Sequence, residues 1–496
     1  MNRNLRDLAE RLQHYQWLCQ KDMNPPIRTL AHDSRKVGPG TLFICIPGAT
    51  VDGHSFAAEA VNKGAVAIIA EHPVEVESVP VVVVPDAKKA AESIAPWFYG
   101  EPGKKLRMIG VTGTNGKTTT THIIREIFNL AGRPAGIIGT LHTLIGERVI
   151  PVKNTTPDVL DLQATLAEML ESGMQYAVME VSSHALALGR VAGCEYDAAV
   201  FTNMTQDHLD FHRNLENYRE AKAVLFKELG MPGSIKDNKH AVANIDDATG
   251  PYMLEQSRAG KISYGIRNPA TVCAQDVIIR PEYAGFRIIG ELGNFAVKAK
   301  ITGLFNVYNM LAAASVALAE GIEPDVVREA LEQFTHVPGR FERVDMELPF
   351  SVIVDYAHTP DSLENVLKTA KQFVEGRLIA VFGCGGDRDR TKRPIMGELA
   401  ARYADRVIVT SDNPRSEDPQ SIVNQILEGI TSFEGRKKTE AITDRFAAIK
   451  YAMDMALPGD VLLIAGKGHE TYQILADRTI HFDDREVVRN LAGGLK

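Results

Sequence analysis

Cysteine, tryptophan, long apolar runs and surplus positive charge are all scarce in this chain. Its 496 residues include five cysteines, Cys19, Cys45, Cys194, Cys273 and Cys384, and no two of them form a CxxC pair. That spacing argues against a disulfide framework and against a thiolate zinc site, and leaves reduced cytosolic thiols as the reading. Acidic residues outnumber basic ones, 63 to 55, giving a net charge of −8. Nucleic-acid binders are ordinarily basic, so no nucleic-acid partner is expected. No apolar stretch approaches the roughly 20 residues of a membrane span. The opening MNRNLRDLAERLQHYQWL reads as an amphipathic helix without the apolar core of a signal peptide. The expectation is a cytoplasmic protein with no membrane partner.

What is present is a phosphate loop. LRMIGVTGTNGKTTTT, residues 106–121, runs from an apolar strand through a tight turn into a helix whose apolar positions are Ile123, Ile124, Ile127, Phe128 and Ala131. Backbone N–H groups at a helix start, with the helix dipole behind them, attract phosphate. Gly113, Thr114, Asn115 and Gly116 form the turn, and Lys117, Thr118 and Thr119 open the helix. Lys117 can reach a nucleotide's terminal phosphates and Thr118 can ligate Mg²⁺. Val111 stands where the strict GxxxxGK[ST] pattern has its first glycine.

Apolar strands alternate with helical patterns along the whole length, which predicts α/β architecture. Three units are expected, residues 1–103, 104–337 and 338–496, with boundaries near YGEPGKKL and HVPGRFERV. Two strand ends in the middle unit are polar. One delivers Glu180 and Ser182, the other Asn203, Asp207, His208 and Asp210. A carboxylate beside a phosphate loop holds Mg²⁺ in nucleotide-hydrolysing domains, although a lone strand-end acid is an equally available reading of Glu180. Four strands of the last unit end in Asp355, in the glycine-rich basic loop with Arg388, in Asp412-Asn413-Pro414-Arg415, and in Gly466 to Glu470. The carboxyl edge of a parallel sheet is where ligands bind, and this basic content suits an anion. Residues 232–300 suggest short strands and no chemistry. Asn306 and Asn309 open a later helix, either as caps or as nucleotide contacts.

The helix at 215–229 carries an oddity. Tyr218, Ala221, Leu225, Phe226 and Leu229 make its apolar face, and Lys222 falls in the middle of that face. Such a lysine must be paired, snorkel to the surface or be chemically altered, and geometry alone favours snorkelling.

Together TGTNGKTTT, EVSSHAL, NxxxDHLD, the lysine in EAKAVLF, FNVYN, PGRFE and DYAHTPDSL resemble the Mur ligase family of ATP-dependent amide-forming enzymes. The resemblance implies a central P-loop-type mononucleotide-binding domain, an N-terminal UDP-sugar substrate domain and a C-terminal Rossmann-like amino-acid domain. It is nearest to the members that add the third residue of the stem peptide, and DNPR looks like the mark of meso-2,6-diaminopimelate selection. A bidentate Arg415 suits the distal carboxylate of that amino acid and would repel the bare ammonium of L-lysine. The same resemblance implies UDP-substrate contacts at Ser34, Asn154, Thr155, Thr156, Ser182 and Arg190. It implies diaminopimelate contacts at Arg388, Asp412, Asn413, Pro414, Arg415, Gly466 and Glu470. ATP is expected at Gly113 to Thr119, Asn306, Arg340 and Asp355. Mg²⁺ is expected at Thr118, Glu180 and Lys222, the lysine carrying a CO₂-derived carbamate, with His208 beside the metal. Lys117, Lys222, Glu180 and His208 are the expected catalytic set. The implied substrates are UDP-N-acetylmuramoyl-dipeptide and diaminopimelate, taken by a monomer. Rival readings are an L-lysine-adding or folylpolyglutamate-forming relative, and a P-loop ATPase that forms no amide.

Overall fold

A computed structural model describes residues 3–18, 23–48, 51–76 and 78–493, and for Leu209 and Asp210 the backbone alone; Cys19 lies outside the described residues. Among the described residues the fold is three-layered α/β, built on three main sheets. The first sheet has the strand order Gln16–Trp17, Val81–Val83, Ala65–Ala70, Thr41–Ile44, Thr29–Ala31. It is parallel except at Gln16–Trp17. The predicted opening helix shrinks to Leu5–Ala9. Trp17 is drawn off into pairing with Val82, and that edge pairing competes with a continued helix.

The middle sheet has eleven strands. Arg107–Thr112 is fifth in its order, parallel to Tyr176–Glu180 on one side and Ala198–Phe201 on the other. The three carboxyl ends therefore meet where the phosphate loop begins. Residues 232–300, opaque in sequence, supply strands that extend this sheet, ending in an antiparallel meander through Ala284–Gly290 and Gly293–Ala299. The helix Lys117–Leu130 buries Ile123, Ile124, Ile127 and Phe128 completely, against the helix Leu304–Ala319 and the sheet. Each such side chain contributes roughly 1.5–3 kcal/mol of burial, so the loop sits on a rigid base.

The last sheet orders its strands Glu342–Arg343, Ser351–Asp355, Val461–Ala465, Leu378–Phe382, Arg406–Val409, Thr439–Ala441. All but the first are parallel. The four polar strand ends anticipated from sequence thus share one edge. No described helix is long and apolar enough to cross a membrane. Cys45, Cys194, Cys273 and Cys384 are free thiols.

Candidate active site

The phosphate loop is braced from the neighbouring strand end. Asn203 Oδ1 accepts the Asn115 backbone N–H at 2.9 Å, and Asn203 Nδ2 and Thr202 Oγ1 donate to Asn115 O at 3.1 and 2.7 Å. Gly113 adopts φ +150°, and a Cβ there would stand 1.9 Å from Thr202 Oγ1, so the strand end and the loop can meet only at a glycine. Lys117 Nζ folds back onto the loop, donating to Gly113 O at 3.0 Å and Thr114 O at 2.8 Å. Burial pulls its pKa down, opposed by Glu180 and Asp207.

Glu180 is buried at the end of Tyr176–Glu180. Its Oε2 accepts the hydroxyls of Thr118 and Thr140 at 3.0 Å each, and its Oε1 accepts the Thr140 N–H at 2.8 Å. This is not a lone acid at a strand end, because it is fastened to the first turn of the phosphate-loop helix.

Lys222 is 1% exposed, so the snorkelling reading fails. The helix Leu215–Glu228 buries Tyr218, Ala221, Leu225 and Phe226 on both sides of it, which leaves the side chain no route to water. Its Nζ donates to Gly113 O at 2.9 Å and lies 4.2 Å from the Tyr218 ring centroid. Among the described residues no carboxylate forms a salt bridge with it. Burial, then the charge of Lys117, pulls its pKa well below the ordinary lysine value, with Asp207 opposing. Lys117 and Lys222 therefore converge on one carbonyl oxygen. His208 adopts φ +55° and pairs with Asp207 at 3.4 Å, its ring 6.2 Å from that of Tyr218.

Asp361 and Arg340 reach this site from the third unit. Asp361 Oδ2 accepts from Asn115 Nδ2 at 2.7 Å and from Thr205 Oγ1 at 2.9 Å. Arg340 reaches Thr118 Oγ1 through Nη2 at 3.5 Å, and its buried Nε has no hydrogen-bond partner. Asp355 accepts the Phe341 and Ala357 N–H groups at 2.6 and 2.7 Å, and burial raises its pKa to about 6 although Arg340 opposes. Asn306 donates to Thr302 O at 2.8 Å and accepts from Asn309 at 3.1 Å.

Beside Glu180 lies a polar cluster. Thr155 Oγ1 lies 3.1 Å from Thr140 Oγ1, Thr156 donates to Glu180 O at 2.8 Å, and the Ser182 N–H reaches Thr156 Oγ1 at 3.1 Å. Arg190 donates to Thr156 O at 3.2 Å. Asn154 is exposed, and Ser34 donates to Glu59 at 3.3 Å. A second cluster lies on the third sheet. Asn413 Nδ2 donates to Glu470 Oε2 at 2.7 Å, and Arg415 Nη1 to Gly386 O at 2.9 Å. Gly466 lies against Asp412, where a Cβ would stand 2.5 Å from Oδ2. Pro414 accepts the Glu417 N–H at 3.1 Å. Arg388 is exposed and donates to Asp387 O at 3.0 Å.

Three family domains match in order: the Mur ligase family catalytic domain over residues 26–97, the Mur ligase middle domain over 111–317, and the Mur ligase glutamate ligase domain over 339–468. A Geobacillus thermodenitrificans protein named UDP-N-acetylmuramoyl-L-alanyl-D-glutamate--2,6-diaminopimelate ligase is 53% identical over 94% of this chain and 95% of its own length. The chain belongs to the Mur ligase family. A Listeria innocua relative of the same name is 49% identical over 93% of this chain and 94% of its own. A solved structure titled as that ligase shares 35% identity at TM-score 0.70, covering 100% of this chain and 99% of its own. The Thermotoga maritima MurF ligase, solved in complex with ADP, shares the fold at TM-score 0.62 and 20% identity, over 88% of this chain and 93% of its own.

Within this Mur ligase fold the structure gathers Gly113 to Thr119, Glu180, Lys222 and Arg340 around one loop, with His208 next to Tyr218. Thr155, Thr156, Ser182 and Arg190 adjoin them. Asp412 to Arg415, Gly466 and Glu470 form the separate cluster on the third sheet. Asp355 and Asn306 spend their side chains on backbone and neighbouring groups. Sequence reasoning missed Thr140, Asp361 and Lys467, whose partners are distant in sequence or lie in a strand-end run read as a whole. Among the described residues one further group could ligate a metal, Asp52, His54 and His72. His54 Nδ1 lies 2.6 Å from Asp52, and Nε2 accepts the Glu71 N–H at 2.8 Å, so neither nitrogen has a lone pair to give.

Proposed function

We propose that this protein is an ATP-dependent amide ligase that joins meso-2,6-diaminopimelate to the D-glutamate γ-carboxylate of UDP-N-acetylmuramoyl-L-alanyl-D-glutamate. The observation that carries the reading is the meeting of Lys117 and Lys222 at Gly113 O, beside the Thr118–Glu180 pair. A carboxylate does not acylate an amine at neutral pH without activation. In the proposed reaction it takes the γ-phosphoryl of ATP to give an acyl phosphate and ADP; the amine then attacks the acyl carbon and phosphate leaves. Lys117 and the loop N–H groups hold the phosphates in line and offset their charge, and Arg340 with its unused Nε adds a cation from the third unit.

Lys222 suits modification. Burial and the neighbouring Lys117 favour the neutral amine at Lys222, and a neutral amine adds CO₂, losing a proton and becoming a carbamate anion. The charge of Lys117, which disfavours an ammonium at Lys222, attracts the carbamate anion. Thr118, Glu180 and a carbamylated Lys222 would offer Mg²⁺ oxygen ligands, and the metal would screen phosphate charge. His208 is the neighbouring catalytic histidine of this reading.

Thr155, Thr156, Ser182 and Arg190, with Ser34 and Asn154, take the UDP-substrate and present its carboxylate near the loop. Asn306 and Asp355 complete the ATP site. Arg388, Asp412 to Arg415, Gly466 and Glu470 take diaminopimelate, with Arg415 on its distal carboxylate. The proposal extends to three domains, 1–103, 104–337 and 338–496, in a cytoplasmic monomer. The named relatives support this amino acid over L-lysine. Mass analysis of the product tests the reading. The UDP-tripeptide should form when ATP, Mg²⁺, the UDP-dipeptide and meso-diaminopimelate are all present. Preferential incorporation of L-lysine would overturn the specificity, and no amide product with any amino acid would overturn the ligase.

A further inference from the structure

The amino-acid cluster contains a charge that the proposed reaction leaves unused. The Lys467 side chain has 0% exposure. Its Nζ donates to Asn413 Oδ1 and Glu470 Oε2, both at 3.2 Å, and lies 5.5 Å from the Tyr472 ring centroid. Asn413 in turn donates Nδ2 to Glu470 Oε2 at 2.7 Å and accepts the Ile474 N–H on Oδ1 at 2.9 Å. Lysine, amide and carboxylate close a triangle. A buried ammonium needs such partners.

Two consequences follow from the triangle. An amide can face either way, and here two donors, Lys467 and Ile474, hold its oxygen inward and its nitrogen on Glu470. Lys467 also offsets the charge of Glu470 from behind. An uncompensated Glu470 would attract any bare ammonium. With Lys467 in place, the cations Arg388, Arg415 and Lys467 are balanced by the anions Asp387, Asp412 and Glu470. A zwitterionic amino-acid head, with carboxylate and ammonium side by side, is matched to alternating charges of that kind, whereas a lone cation is not.

We propose that Lys467 is a positioning residue that determines amino-acid specificity, orienting Asn413 and Glu470 so that the site takes a zwitterionic head in preference to a lone ammonium. This rests on the function proposed above. Steady-state rates of the full-length enzyme with meso-diaminopimelate and with L-lysine, at saturating ATP and UDP-dipeptide, test it. If the wild type fails to use meso-diaminopimelate, the functional reading and this inference fall together. If the wild type uses it, Lys467→Met and Lys467→Gln should each lower kcat/KM for meso-diaminopimelate roughly tenfold or more, mainly through KM. They should also shift the ratio toward L-lysine by a similar factor and leave the KM for ATP unchanged. Lys467→Arg should keep most of the wild-type ratio. An unchanged ratio, or equal losses with both amino acids, would overturn the proposal alone. So would failure of both charge-removing variants to fold while Lys467→Arg folds, since Lys467 would then be a structural strut.

Discussion

At the scale of single residues, the chemistry depends on charges placed where water cannot reach them. Lys222 has a backbone carbonyl and a tyrosine ring for company, and its lowered pKa favours the neutral amine that the proposed carbamate requires. Lys222→Ala should reduce ligation by about two to three orders of magnitude, read as product formed per minute. A short carboxylic acid added to the variant should restore part of the rate; full activity without it would remove the carbamate. Asp355 offers a test in pH. Its pKa of about 6 lies above the ordinary aspartate value, so the folded state binds a proton more readily than the unfolded chain. Its contribution to stability is present below pH 4 and is lost as pH rises through 6. Protonation also removes the negative charge facing Arg340. Between pH 7 and 5, kcat/KM for ATP should therefore fall with a midpoint near 6 while this group makes the fold more stable. Asp355→Asn should lack that acid limb. Lys222 was legible from the helical wheel as an anomaly, but its destination was not. A wheel shows which face a residue occupies and cannot show that Gly113, 109 positions away, supplies the acceptor.

At the scale of elements, the phosphate loop is held by what it meets. Gly116 adopts φ +86°, and a Cβ there would lie 2.4 Å from Asn309 Oδ1 on the helix Leu304–Ala319. Gly116→Ala should combine about 1–3 kcal/mol of backbone strain with displacement of the loop. ATP affinity, measured by titration calorimetry, should drop at least tenfold; unchanged affinity would refute this account of the glycine. Strands and helices around the loop were readable in sequence, because their apolar periods depend on local order alone. The extension of the middle sheet through 232–300 was not, because its short strands gain stability only by pairing with strands already in place. The opening helix failed for a related reason, a tertiary pairing at Trp17 that outweighs local helical preference.

At the scale of the whole molecule, the first and third units attach differently. Val159 and Leu160 of the middle unit belong to the apolar core under the first sheet, and Lys36–Asp161 at 2.6 Å closes the same seam. The third unit meets the phosphate loop through polar contacts, Asp361 to Asn115 and Thr205 and Arg340 to Thr118, and takes the half-buried Ile279 and Phe305 of the middle unit against its apolar core, Phe305 beside the Phe341 ring. Polar seams open more readily than apolar ones. The third unit should therefore be the moving part, with Asp361 as its latch. Asp361→Ala should increase the radius of gyration in solution scattering and raise the KM for the amino acid several-fold; an unchanged scattering profile and KM would show that Asp361 bears no closing load.

The central claim is that ATP is consumed to make an amide. Release of inorganic phosphate by the purified protein, with ATP, Mg²⁺ and UDP-N-acetylmuramoyl-L-alanyl-D-glutamate, tests it most directly. The account predicts sustained release when meso-2,6-diaminopimelate is added and little without an amino acid. Equal release with and without it would contradict the account and leave an ATPase.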